Sequence, residues 1–175
     1  MKNSSIASSD VLIANEQLYK PCGLQLTDFK VEEESIEYEA CRFKLNELSI
    51  TYRAAKITPT KIGQFVTIWK RNDQGITEPF HSSDDIDAII ISVRNGENFG
   101  QFIFPKTVLV DKGIISTNEK EGKRGIRVYA PWDKTINKQA ITTQSWQTNY
   151  FVSIKNNQIS DNDLVRTLLL NSKNK

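Results

Sequence analysis

Apolar and polar residues alternate at strand spacing through the middle of the chain, and helical spacing is confined mainly to its two ends. Near the start, Ser9 or Asp10 can cap a helix whose inner face is Leu12, Ile13 and Leu18 and which Pro21 and Gly23 stop after about Tyr19. Phe43 and Leu45 open an alternating run, Asn46-Glu47 reads as a hairpin tip, and Ile50–Ile57 continues as a strand. Thr58–Gly63 carries Pro59 and reads as a loop, delivering the chain to a strand over Gln64–Lys70. Residues 32–39, rich in carboxylates, fit either a helix or an edge strand, and periodicity does not separate the two.

Ala88–Val93 is apolar on both faces and so predicts a central strand, with a turn at Arg94–Asn98 and a hairpin partner over Phe99–Phe104. Val108–Gly113 reads as a short helical turn, Ser116–Gly125 as a mobile loop and Ile126–Tyr129 as one more strand. Asn137 can cap a helix running toward Tyr150, with Ile141 and Trp146 facing inward, and Asp161 can cap a leucine-rich helix over Leu164–Leu170. These elements predict an α+β fold: one domain over residues 1–175, a mixed β-sheet flanked by helices from the chain ends, with residues 1–8 and 171–175 flexible.

Composition narrows the class. At 38% hydrophobic and 25% charged residues the chain is globular, with no apolar run of bilayer-spanning length and no secretory leader, which predicts a cytoplasmic protein without a membrane partner. Cys22 and Cys41 form no Cys-x-x-Cys pair and read as reduced structural thiols. The net charge is only +2, yet the charges are segregated. Residues 28–39 hold six carboxylates against Lys30, and residues 78–87 hold Glu78, Asp84, Asp85 and Asp87 with no lysine or arginine.

The opposite sign is concentrated elsewhere. Tyr52–Arg71 places five cations, Arg53, Lys56, Lys61, Lys70 and Arg71, among apolar strand positions with no carboxylate. Lys120–Lys138 adds Lys123, Arg124 and Arg127 beside Tyr129 and Trp132, rings that could stack on bases or pack in the core. Such clusters suit a phosphate partner, and the local field rather than the sum governs binding. Strand alternation sets a limit, because Arg53 and Lys56 fall on opposite faces of one strand. Lys61 stands on a loop that can reach outward, and Gly63 either lets a ligand backbone approach without a Cβ in the way or is a plain turn or bulge.

The runs Arg53–Arg71, Phe99–Lys106 (Phe-Gly-Gln-Phe-Ile-Phe-Pro-Lys), Glu121–Tyr129 and Pro131-Trp132 resemble the MepB family over roughly residues 9–152. That family is named for a small protein of a staphylococcal multidrug-efflux operon. The resemblance implies a fold similar to the restriction-endonuclease-like, or PD-(D/E)xK, group of nucleases and their inactive relatives. Those enzymes hold Mg²⁺ with an acid on one strand and a second acid two residues before a lysine on the next. On this pattern Asp85 or Asp87 supplies the first acid, Lys106 the lysine and Glu37 a helical glutamate, but Phe104 occupies the place of the second acid. Gln101 is the nearest oxygen-bearing residue on that strand, and an amide holds Mg²⁺ less well than a carboxylate. His81 beside three aspartates is a weak metal signal.

The sequence therefore predicts a nucleic-acid-binding protein, DNA-directed, on a nuclease-like fold with incomplete cleavage machinery. Lys56, Lys61, Lys70, Arg71, Lys106, Lys123, Arg124 and Arg127 would meet phosphates, with Tyr129 and Trp132 as rings and no cofactor required. The alternatives are a Mg²⁺-dependent nuclease with a displaced acid, drawn from Glu37 or Glu39, and a regulatory protein of a resistance operon that binds another protein instead. Oligomeric state is not legible.

Overall fold

The side chain of Ser8 accepts the Val11 amide and starts helix α1 (Ser9–Ala14), which widens into a π turn at Asn15–Tyr19 and tightens into a 3₁₀ turn at Lys20–Cys22. Pro21 and the left-handed Gly23 (φ 78°) end this segment where the sequence predicts. In this computed structural model, which describes residues 8–155 and 162–170, the flexible ends expected at residues 1–8 and 171–175 lie outside the described residues except for Ser8, which is fixed by its cap, and the Asp161 cap lies outside them as well.

Strands β1 (Leu26–Val31), β2 (Cys41–Leu45) and β3 (Leu48–Ala54) follow as an antiparallel meander. Asn46 turns the β2–β3 hairpin at φ 56°, and its Oδ1 accepts the Gln25 amide at 2.9 Å. The carboxylate run settles as neither a regular helix nor a strand. One 3₁₀ turn at Ile36–Tyr38 sits between Ser35 and Glu39, both at positive φ, and Glu32 N–H donates to Ala40 O as the chain doubles back.

Two strands that look continuous in the sequence are each broken. The expected Ile50–Ile57 strand splits at Ala55, whose amide stays with Ser92 O while β4 (Lys56–Ile57) leaves for another sheet. The expected Gln64–Lys70 strand splits at Ile68, whose amide bonds Arg124 O, giving β5 (Gln64–Thr67) and β6 (Trp69–Arg71). β6 then pairs with β7 (Thr77–Pro79) as a separate hairpin.

β8 (Ala88–Asn95) and β9 (Asn98–Pro105) form the long hairpin turned at Gly96. β8 also lies parallel to β3, with Arg53 opposite Ile91, so it is central and buried on both faces. After α2 (Lys106–Asp111), the Ser116–Gly125 segment expected to be mobile is tied down. The Ser116 amide bonds Phe80 O, its Oγ accepts the Gly122 amide, and the Lys123 amide bonds Ile114 O. β10 (Gly125–Val128) joins β5 and β4 in a three-stranded sheet. Asn137 caps α3 (Lys138–Gln147), β11 (Phe151–Ser153) adds an edge to β9, and α4 (Asn162–Leu170) closes the chain.

The main sheet runs β1-β2-β3-β8-β9-β11, mixed in direction, and the fold is α+β. Its two faces carry separate cores. Ile90 and Ile103 pack on one side with α1 and the inner face of α4, where Val165, Leu168 and Leu169 cover the sheet. Ile89, Ile91, Phe102 and Phe104 pack on the other with Val108 and Leu109 of α2 and Val128 of β10. Trp146 packs against Phe104 at 5.6 Å as an inward ring, whereas Ile141, expected beside it, is exposed.

Candidate functional site

On the second face, β5, β10, α3, the loop before β5 and the segment just after α2 border a groove of about 690 Å³. Lys61, Lys112, Lys123 and Arg127 line it together with Tyr129 and Trp146, and among the described residues no aspartate or glutamate does. The chain reaches this arrangement from three separate places. Lys61 comes from the loop between β4 and β5, Lys112 from the end of α2, and Lys123 and Arg127 from the second basic stretch.

The scaffold under these cations is rigid. Arg127 opposes Phe65 across the β10–β5 pair, and its Nη1 donates to Ile62 O at 3.2 Å and Gly63 O at 3.3 Å, tying the Lys61 loop to the strand. Gly63 sits at φ 82° with the Tyr129 ring laid against it, so a Cβ there would stand 2.7 Å from Tyr129 Cδ1. The space over Gly63 that a ligand backbone was expected to use is thus taken by the protein's own Tyr129 ring and Val128 carbonyl, and one part of Tyr129 is occupied by packing. Gln147, 1% exposed, clamps α3 to β10 by accepting the Tyr129 amide at 2.8 Å and donating to Arg127 O at 3.1 Å. Asn137 Oδ1 accepts the Ala140 amide at 2.8 Å.

The charges are available to differing degrees. Among the described residues, Lys61, Lys112 and Lys123 form no ion pair; the Lys112 ammonium lies 5.2 Å from the centre of the Trp146 ring. The other predicted phosphate contacts lie apart and are engaged. Lys70 pairs with Asp84 at 2.6 Å and Glu78 at 3.5 Å; partial burial pulls its ammonium down, but the two carboxylates outweigh that and raise it. Arg71 pairs with Glu34 and stacks near Trp69, and Arg124 meets Glu121 and Thr77 O. Lys56 lies 5.1 Å from the Tyr38 ring, and Lys106 donates to Asp84 O. Trp132 packs edge-on against Phe151, its Nε1 buried without a hydrogen-bond partner, so it is a packing ring rather than an offered one.

Lys112 was not singled out from the sequence, and Trp146 was expected only as an inward-facing residue of its helix. A lone lysine at a helix end and a tryptophan on a mostly polar helix carry no signal until tertiary packing sets them beside the basic strands.

The nuclease-like candidates are distributed differently. Asp87 and Lys106 do meet at one end of the β8–β9 hairpin, where the Lys106 amide bonds Asp87 O at 2.9 Å. Their side chains serve the fold. Asp87 Oδ2 accepts the Ser49 amide at 2.8 Å, and Asp84 accepts from Lys70 and from the His81 amide. His81 Nδ1 is bonded to Ser83. Asp85, Glu37 and Glu39 are exposed, while Phe104 is buried among the core rings. Gln101 is fully buried on the other sheet face, accepting from Tyr19 Oη at 2.6 Å and donating to Ser92 at 2.9 Å. Among the described residues no three metal-ligating side chains converge, so this donor set does not fit a Mg²⁺ centre.

Comparison with known proteins agrees with the resemblance read from the motifs. No curated protein sequence matches the chain. The crystal structure of MepB is similar at 35% identity with a TM-score of 0.73, covering 87% of this chain and 99% of that one. The structure of a bacterial homing endonuclease is similar at 13% identity with a TM-score of 0.46, covering 82% of this chain and 87% of that one. The MepB-like family model matches residues 32–153, and the chain belongs to the MepB-like family.

Proposed function

We propose that the protein binds nucleic acid, DNA in the first instance, by seating a phosphate backbone along the basic groove. The observation that carries this reading is a groove lined by four cations and no carboxylate, held by a clamped loop, strand and helix. Rigid like charges without counter-charges repel one another, and a polyanion relieves that repulsion while releasing its own counterions. Trp146 and the free part of Tyr129 offer ring surface beside the cations. Among the described residues the nuclease alternative has no converging metal donors in its support.

The test is a titration of labelled duplex and single-stranded DNA at several salt concentrations, with and without Mg²⁺, and with the products run on a denaturing gel. Four phosphate contacts on duplex correspond to a slope of log K against log salt of about −3 to −4. Salt-sensitive binding with intact strands supports the proposal. Salt-independent binding or none overturns it, and Mg²⁺-dependent cutting replaces it with a nuclease.

A further inference from the structure

Cations account for the phosphates of a partner but not for the rest of the groove wall. Two of the lining residues are isoleucines left in water, Ile136 at 81% exposure in the loop before α3 and Ile62 at 37% in the loop before β5. A single exposed apolar side chain is ordinary on a protein surface. Here two border one concavity that also holds Lys61, Lys112, Lys123 and Arg127, and they offer nothing to a backbone that is charged along its length.

The loop that carries Ile136 is fixed from both sides. Asp133 Oδ2 accepts the Ala130 amide at 2.8 Å, and Gln144 Nε2 donates to Ala130 O and Asp133 O, each at 2.8 Å. Thr135 Oγ1 donates to Gln144 Oε1 at 2.8 Å, and Asn137 caps α3 on the other side. Ile136 is thus held out to solvent by the hydrogen bonds of its neighbours. Between the cations the wall carries the half-buried Phe65 ring and, from α3, Gln139 and Thr143, whose side chains have no hydrogen-bond partner among the described residues. Aliphatic and ring surface suits the face of a base, and an amide and a hydroxyl suit its edge. The volume of about 690 Å³ falls in the range of sites for small organic groups, about 300–1,000 Å³. A duplex keeps its bases paired and stacked inside, so it meets a recess of that size with its backbone, whereas an unpaired strand can turn a base into it.

Resting on the nucleic-acid reading of this groove, we propose that it takes an unpaired strand in preference to a duplex. The four cations hold the phosphates while one base, turned inward, packs on Ile136 and Ile62 with its edge met by Gln139 and Thr143.

The experiment measures fluorescence anisotropy of three end-labelled DNAs of equal length with the whole protein at several salt concentrations. They are a single strand of mixed sequence that forms no hairpin, its duplex, and a strand in which abasic sites replace every internal base. The single strand is expected to bind about tenfold or more tightly than the other two at the same salt, and the abasic strand to keep its salt slope because the phosphates are unchanged. Ile136→Ser, at an exposed position where little packing is lost, is expected to weaken single-strand binding about fivefold while leaving the slope and the abasic strand unaffected. Lys61→Ala weakens both strands and flattens the slope by about one unit. Duplex or abasic DNA bound as tightly as the single strand overturns the unpaired-base proposal and leaves a backbone groove in place, as does wild-type affinity of Ile136→Ser for the single strand. Absence of salt-sensitive binding to all three DNAs overturns the nucleic-acid reading itself and this proposal with it.

Discussion

A lysine contributes to phosphate binding only if nothing in the folded protein already neutralises it. Lys61 and Lys70 look alike in the sequence, but Lys70 is held by Asp84 and Glu78 whereas Lys61 lines a groove without carboxylates. Lys61→Ala and Lys123→Ala are therefore expected each to weaken DNA binding and to flatten the salt slope by about one unit, while Lys70→Ala leaves the slope unchanged, as a titration at varied salt will read. Gly63→Ala meets both a positive φ and a 2.7 Å approach to the Tyr129 ring, and should lower stability by more than about 1 kcal/mol in urea unfolding. The two thiols are buried and their ionisation is pushed up by that burial, Cys41 to about 12. Since the thiolate is the reactive form, neither should label with a thiol reagent at neutral pH until the protein is unfolded.

At the scale of elements, the groove depends on α3 staying docked on β10. Gln147 satisfies the Tyr129 amide and the Arg127 carbonyl, so Gln147→Leu removes both bonds and leaves the backbone groups unpaired. A loss of about 1–3 kcal/mol is expected, with faster hydrogen exchange at Tyr129. Several elements were legible beforehand. Alternation marked β2 and β3, an apolar run followed by a turn marked the β8–β9 hairpin, and Asn137 marked the start of α3, because strand patterning, turns and helix caps are local physics. The breaks at Ala55 and Ile68 were not legible, since each follows from a backbone amide choosing a partner remote in sequence. Residues 32–39 were undecided for the same reason: the chain there follows Ala40 and the turns at Ser35 and Glu39 rather than any repeat of its own.

Over the whole molecule, one mixed sheet separates two cores. The polar ladder Tyr19–Gln101–Ser92–Tyr52 is buried in the first, while the groove opens on the side of the second. Phe104 joins the second core to α3 through Trp146 and Tyr150, and Phe104→Ala should cost about 3–5 kcal/mol in denaturant unfolding while perturbing the groove wall. The sequence by itself determined the hairpins β2–β3 and β8–β9, the start of α3, the family membership and the segregation of charge, because strand patterning, caps and motif residues act between near neighbours. Only the tertiary structure decided which cations are free. Parallel pairing of β3 with β8 folds back the 55–87 segment, gives Lys70 and Arg71 their carboxylates, buries Arg53, and brings Lys61, Lys112, Lys123 and Arg127 to one groove. Those outcomes are set by distances between residues far apart in the chain, and no local pattern encodes a distance.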